Sequence, residues 1–177
     1  MIVQRLERAA SGAVSIADAK LRARLDHDDD DSDIGRMCIT AVLEFEDRAE
    51  IALLNQAVRV TLPEWPQRAE LALPIGPVID GDSITLIVGG NEIDAFAVST
   101  GLRPVLQLTG PRPPGGVLIE YIAGFGNDGA AIPQDIMHAL LDQVATYYDA
   151  RGAAAGKLLA VSPHFARIAG RYRGVRA

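Results

Sequence analysis

Three glycines, Gly124, Gly126 and Gly129, spell G-x-G-x-x-G between an apolar run and a helical one. Dinucleotide-binding folds use this pattern to hold a pyrophosphate. That chemistry needs the helix to begin at the glycines, where its free N–H groups meet the phosphates. Here Pro133 starts the helix several residues later, and the chain then runs into a small, basic tail. No second parallel strand follows to carry a ribose-binding acid, so the glycines read as a flexible turn. A second candidate is the run from Asp26 to Asp33, six aspartates in eight residues. An EF-hand loop would have Gly where Asp31 stands and Glu where Met37 stands. Without them the run reads as a solvated, self-repelling linker whose last residues favour the next helix N-terminus.

The other candidates are scattered. His27, His138 and His164 fall in the acidic loop, a long helix and the tail, and no H-E-x-x-H, C-x-x-C, G-x-S-x-G or P-loop occurs. Glu44, Asp47 and Glu50 could be imagined as catalytic carboxylates, but a solvated helix face accounts for them. The i,i+4 spacing of His138 and Asp142 lets them pair on the surface, an arrangement that implies no chemistry. Cys38 is the one cysteine; it has no disulfide partner and lies beside Met37 on an apolar helical face, so it reads as packing. With no converging nucleophile, base and oxyanion site, the expectation is a protein that is not an enzyme and has no cofactor and no metal.

These residues are positioned by a recognisable order of elements. Ser15, with Asp18 three residues on, caps a short helix to about Leu25. A second helix runs from about Asp33 to Leu53, with Ile34, Cys38, Ala41, Phe45, Ala49 and Ala52 on one face. The period then turns to alternation at Val58, Val60 and Leu62. Short strands are expected at Glu70–Leu73, Ser83–Val88, Ile93–Val98, Val105–Leu108 and Val117–Ala123, with a hairpin at Gly89-Gly90. Pro133 opens a long helix through Ile136, Leu140, Val144 and Tyr147, widened by Met137, Leu141 and Tyr148. Ser162-Pro163 caps a last helix with Phe165, Ile168, Ala169 and Tyr172 on one side and Arg167 and Arg171 on another. Residues 1–14 read as a loosely held arm.

Helices, strands, then helices imply that the two chain ends pack together. The fold expected is α+β: a helical bundle of residues 1–55 and 127–177, with a small antiparallel β domain, 56–126, inserted between the second and third helices. Charge is also divided. Residues 1–149 hold all 23 acids and 11 of the 17 Lys and Arg, a balance of −12, whereas residues 150–177 carry +6. An acidic body with a basic tail points to a negative docking partner for the tail. No apolar run is long enough to span a membrane. The charged start, MIVQRLERAA, is unlike a signal peptide, so synthesis in a bacterial cytoplasm is expected.

The chain resembles the head–tail connector (adaptor) proteins of long-tailed double-stranded DNA phages, prophages and gene transfer agents. The likeness runs through Val14-Ser-Ile-Ala-Asp-Ala-Lys, Leu25-Asp-His-Asp-Asp-Asp-Asp, Trp65-Pro66 and Glu70-Leu-Ala-Leu-Pro74 with Pro77-Val78. It is strongest in Val117-Leu-Ile-Glu-Tyr-Ile-Ala-Gly-Phe-Gly, in Ile132-Pro-Gln-Asp-Ile136 and in the helix to Tyr147-Tyr148, and it includes Ser162-Pro-His-Phe-Ala-Arg167. The resemblance implies a ring, usually of twelve copies, beneath the capsid portal, extending the DNA channel at the head–tail junction. The implied partners are the portal protein, the next connector or stopper protein, further copies of the chain, and DNA passing without specific binding; no membrane is implied. A portal-docking tail of Phe165, Arg167, Arg171, Tyr172, Arg173 and Arg176 follows from the same resemblance, as does a channel-lining or rim position for Asp28, Asp29, Asp30 and Asp31. The competing readings are a nucleic-acid-binding protein using the arginine tail, with Phe165 or Tyr172 stacking on bases, and an enzyme with a cleft at the Gly124–Gly129 turn.

Overall fold

Alternating Val and Ile in two long strands and wide apolar faces on two long helices give each half of the molecule its own core. The computed structural model describes residues 1–151 and 161–174. It divides into two compact units, one of Met1–Ala9 with Asn55–Phe125 and one of Ala10–Leu54 with Gly126–Ala177. The fold is α+β, with seven of the eight strands described lying between the second and third helices.

In the first unit, a five-stranded antiparallel sheet has the order β1-β2-β8-β4-β5, formed by Ile2–Arg5, Gln56–Leu62, Val117–Ala123, Thr85–Val88 and Asn91–Glu92. Strands β2 and β8 are its centre. Val58 lies opposite Tyr121, Val60 opposite Ile119 and Leu62 opposite Val117, all buried. On the other face Arg59 lies opposite Glu120 and donates to its carboxylate at 2.6 Å. The alternation seen in the sequence is thus the inside and outside of one sheet. A three-stranded sheet, β3-β7-β6, comprises Glu70–Ala72, Val105–Leu108 and Phe96–Ser99. The buried Trp65 donates its indole N–H to the Arg68 carbonyl at 3.1 Å.

Two features differ from expectation. The N-terminal arm is not loose: Ile2–Arg5 pairs antiparallel with β2, with Ile2 opposite Thr61 and Arg5 opposite Val58. A run this short and mixed has no clear period of its own, and β2 supplies the ladder that makes it a strand. The expected strand Ile93–Val98 is also broken. Gly89 and Gly90, at φ 60° and 86°, make the tight turn that joins β4 to β5. The Phe96 N–H then bonds to the Asp94 carbonyl at 2.9 Å, a three-residue turn that swings the chain away so that β6 pairs with β7 instead.

The second unit is a bundle of α1 (Ile16–Ala23), α2 (Asp31–Ala49), α3 (Gln134–Ala150) and α4 (Pro163–Tyr172). Helix α3 contacts each of the other three. Its buried residues Ile136, Ala139, Leu140, Val144 and Tyr147 form the broad face expected of a central helix. Pro133 stands at its N-cap, within a residue of the position expected. Helix α2 buries Ile34, Cys38, Ala41, Val42, Phe45 and Ala49. Burial pushes the Cys38 thiol up to about 11, as suits a packing residue. Glu50 ends the helix in the left-handed region at φ 56°, and the Ile51 N–H closes on the Glu46 carbonyl. The buried Glu46 carboxylate turns back to accept the Leu53 N–H at 2.8 Å.

Candidate assembly surface

The aspartate run does not behave as a free linker. Its first part forms a turn, with the Asp31 N–H on the Asp28 carbonyl, and Asp30 is the N-cap of α2. Lys20 of α1 bridges the carboxylates of Asp28 and Asp31. The Asp30 carboxylate accepts the Tyr148 hydroxyl at 2.7 Å and Arg151 at 2.9 Å, and these two donors hold its carboxyl well below the usual range. Arg151 also lies 3.7 Å over the Tyr148 ring. Cations from α1 and from the end of α3 thus relieve the repulsion that the sequence pattern implies. A sequence window around the run does not contain Tyr148 or Arg151, which is why sequence reasoning missed them. Asp29 alone of Asp28–Asp31 makes no ion pair among the described residues, and it is exposed.

The C-terminal helix is likewise part of the bundle. Ser162 caps it, and its backbone N–H donates to the buried Gln143 side-chain oxygen at 2.8 Å. Phe165, Ile168 and Ala169 are buried, and Phe165 meets the Phe45 ring edge to face. The Tyr172 hydroxyl donates to the Asp135 carboxylate at 3.0 Å, and Arg171 pairs with the same carboxylate. Arg173 lies 3.6 Å from Glu50. Arg167 is exposed and makes no ion pair among the described residues. The docking residues inferred from sequence therefore separate: Phe165 and Tyr172 face inward, Arg171 and Arg173 hold acids of the same unit, and Arg167 faces outward. Arg176 lies outside the described residues. Between α1, α3 and α4, Asp142 receives Arg22 and His164 rather than the His138 expected from spacing.

The glycine turn shows why its glycines are there. A Cβ at Gly129 would collide with the Ala13 carbonyl oxygen, and one at Gly126 with the Ala131 side chain. Gly124 has φ 149°, and its N–H bonds to the Pro77 carbonyl at 2.9 Å. A backbone contact at Gly129, a side-chain contact at Gly126 and a positive φ at Gly124 account for the three glycines without a phosphate. Among the described residues, no group of three or more His, Cys, Asp or Glu side chains is arranged to hold a metal ion. No described helix is long and apolar enough to cross a membrane.

No family model matches the chain, and no curated protein matches it. Solved structures do. The class they define is the neck component of a gene transfer agent particle, in agreement with the head–tail connector resemblance of the sequence. One similar chain comes from the neck of an empty gene transfer agent particle computed with C6 symmetry, at 26% identity and TM-score 0.79, covering 100% of this chain and 97% of that one. Another comes from the virion of a native gene transfer agent particle, at 25% identity and TM-score 0.80, with the same coverage. A third, 24% identical with TM-score 0.77, is from a native particle neck computed with C12 symmetry; it too covers 100% of this chain and 97% of that one, and it supports the shared fold.

Proposed function

We propose that this chain is a structural head–tail adaptor of a phage or gene transfer agent particle. It assembles as a ring of twelve copies beneath the capsid portal, extends the DNA channel, and offers a platform to the next connector or stopper protein. It acts by assembly, without catalysis or a cofactor. The observation that carries this reading is the likeness, over the full chain, to one chain from a gene transfer agent neck and one from a gene transfer agent virion. The charge distribution supports it. An acidic body lets DNA pass without adhering, and of Asp28–Asp31 the exposed Asp28 and Asp29 are the ones open to a lumen or rim.

The portal-facing element is the outer face of α4 with the residues after it. Arg167 makes the first contact, and Arg171, Arg173 and Arg176 add positive charge. Phe165 and Tyr172 hold the helix to the bundle from beneath. The test is co-sedimentation with the cognate portal ring, comparing wild type with Arg167→Glu. Wild type binds in a fixed ratio to portal subunits, and the variant loses at least tenfold in affinity. Equal binding by both moves the interface off α4. No portal binding, together with affinity for free DNA that falls steeply with salt, would replace the adaptor with a nucleic-acid-binding protein.

A further inference from the structure

The positive charge of α4 is only partly free. Arg167, Arg171 and Arg173 stand on the helix or at its end, and they differ in what already holds them. Arg167 is exposed and makes no ion pair among the described residues. One turn later, Arg171 pairs with the Asp135 carboxylate of α3, which also accepts the Tyr172 hydroxyl at 3.0 Å. Arg173, the C-cap residue, lies 3.6 Å from Glu50 at the end of α2.

Both acids are fixed by the bundle. Asp135 is in the first turn of α3, where the helix dipole favours a negative charge. Glu50 occupies the left-handed position that ends α2, at φ 56°, which glycine adopts with less strain. Glycine there would leave Arg173 without this carboxylate. The arginines keep more than half of their side-chain surface in water, 59% for Arg171 and 62% for Arg173, against 31% for Asp135 and 23% for Glu50. A carboxylate of a partner therefore reaches the guanidinium groups from outside, while the two internal acids stay with the bundle.

We propose that Asp135 and Glu50 are internal competitors of the portal: they hold Arg171 and Arg173 in the free chain, and docking exchanges each of them for an acid of the portal. The inference rests on the adaptor reading, with α4 as the portal-facing element, and adds how that contact is restrained. Arg167 has no internal partner to leave, so it engages first. Arg171 and Arg173 follow where the partner offers acids at matching positions. A group that is free for only a fraction of the time binds with its affinity reduced by that fraction. The restraint thus lowers affinity for every negative surface, and most for one that cannot displace both acids together.

The test is co-sedimentation of full-length protein with the cognate portal ring over a range of salt. The variants are Asp135→Asn, Glu50→Gln and the two combined. Asp149→Asn is the control: Asp149 is exposed, makes no ion pair among the described residues, and its loss changes net charge equally. Each paired-acid variant should bind about threefold more tightly at low salt, and the double variant about tenfold. Its affinity should also fall more steeply with salt, because docking then forms new ion pairs instead of exchanging old ones. Asp149→Asn should bind as wild type does. In wild type, carbodiimide labelling of Asp135 and Glu50, read by mass spectrometry, should rise on the portal as the arginines leave. If the double variant unfolds, the labelling decides. Equal or weaker binding by a folded double variant, an equal gain from Asp149→Asn, or labelling that does not rise overturns the proposal and leaves the adaptor reading standing. If wild type does not bind the portal, the adaptor reading falls and this inference with it.

Discussion

Phe165 of α4 and Phe45 of α2 meet edge to face, their ring centroids 5.3 Å apart at 84°, and Phe165 is fully buried. The contact makes the C-terminal helix a structural member of the bundle. Phe165→Ala should lower unfolding free energy by about 3–5 kcal/mol through lost burial and a residual cavity. Arg167→Ala, on the exposed face, should stay within about 0.5 kcal/mol. Urea unfolding of the two variants checks both. A similar loss for each would mean that α4 does not pack as described.

Gln143 makes a second link between α3 and α4. Its side-chain oxygen accepts the Ser162 N–H at 2.8 Å, and Gln143 is fully buried. Gln143→Leu leaves that N–H without its acceptor, at a cost of about 1–3 kcal/mol. The expected outcome is a lower unfolding midpoint, with slower-exchanging amides of α3 still protected in hydrogen exchange.

At the glycine turn, Gly129→Ala should destabilise by about 1–3 kcal/mol, because the new methyl meets a backbone carbonyl that cannot rotate aside. The measurement is thermal unfolding, in the presence and absence of a dinucleotide. A wild-type midpoint that rises with the dinucleotide would revive the phosphate-binding reading.

Asp142 sets a pH dependence. Burial raises its carboxyl pKa, but the bonds from His164 and Arg22 outweigh this and leave it below the usual value. A lowered folded pKa means that the stabilisation is complete above the unfolded value, about 3.9, and is lost as pH falls through the folded one. Asp142→Asn should therefore cost on the order of 1–2 kcal/mol near neutral pH, where the charge-assisted bonds exist. The difference from wild type should shrink only in strong acid. Urea unfolding across the acid range reads this directly, and a difference that is constant with pH would contradict it.

The sequence by itself determined the elements whose pattern is local. The wide apolar stripe from Ile136 to Tyr147 could only be a central helix, and the alternation at Val117, Ile119 and Tyr121 could only be a half-buried strand. The split of α4 into a buried Phe165–Ile168–Ala169 face and an outward Arg167 was legible for the same reason. So was the likeness to connectors, because its motifs are spread over nearly the whole chain. Tertiary structure alone decided the rest. Strand β1 exists because β2 offers it hydrogen bonds, and Ile93–Val98 breaks because a three-residue turn hands Phe96 to a different sheet. The aspartate run is ordered by Lys20, Tyr148 and Arg151, and Asp142 is matched by Arg22 and His164. In each case the deciding partner is a ladder or a charge brought in from elsewhere in the chain, and periodicity carries no information about contacts at that distance.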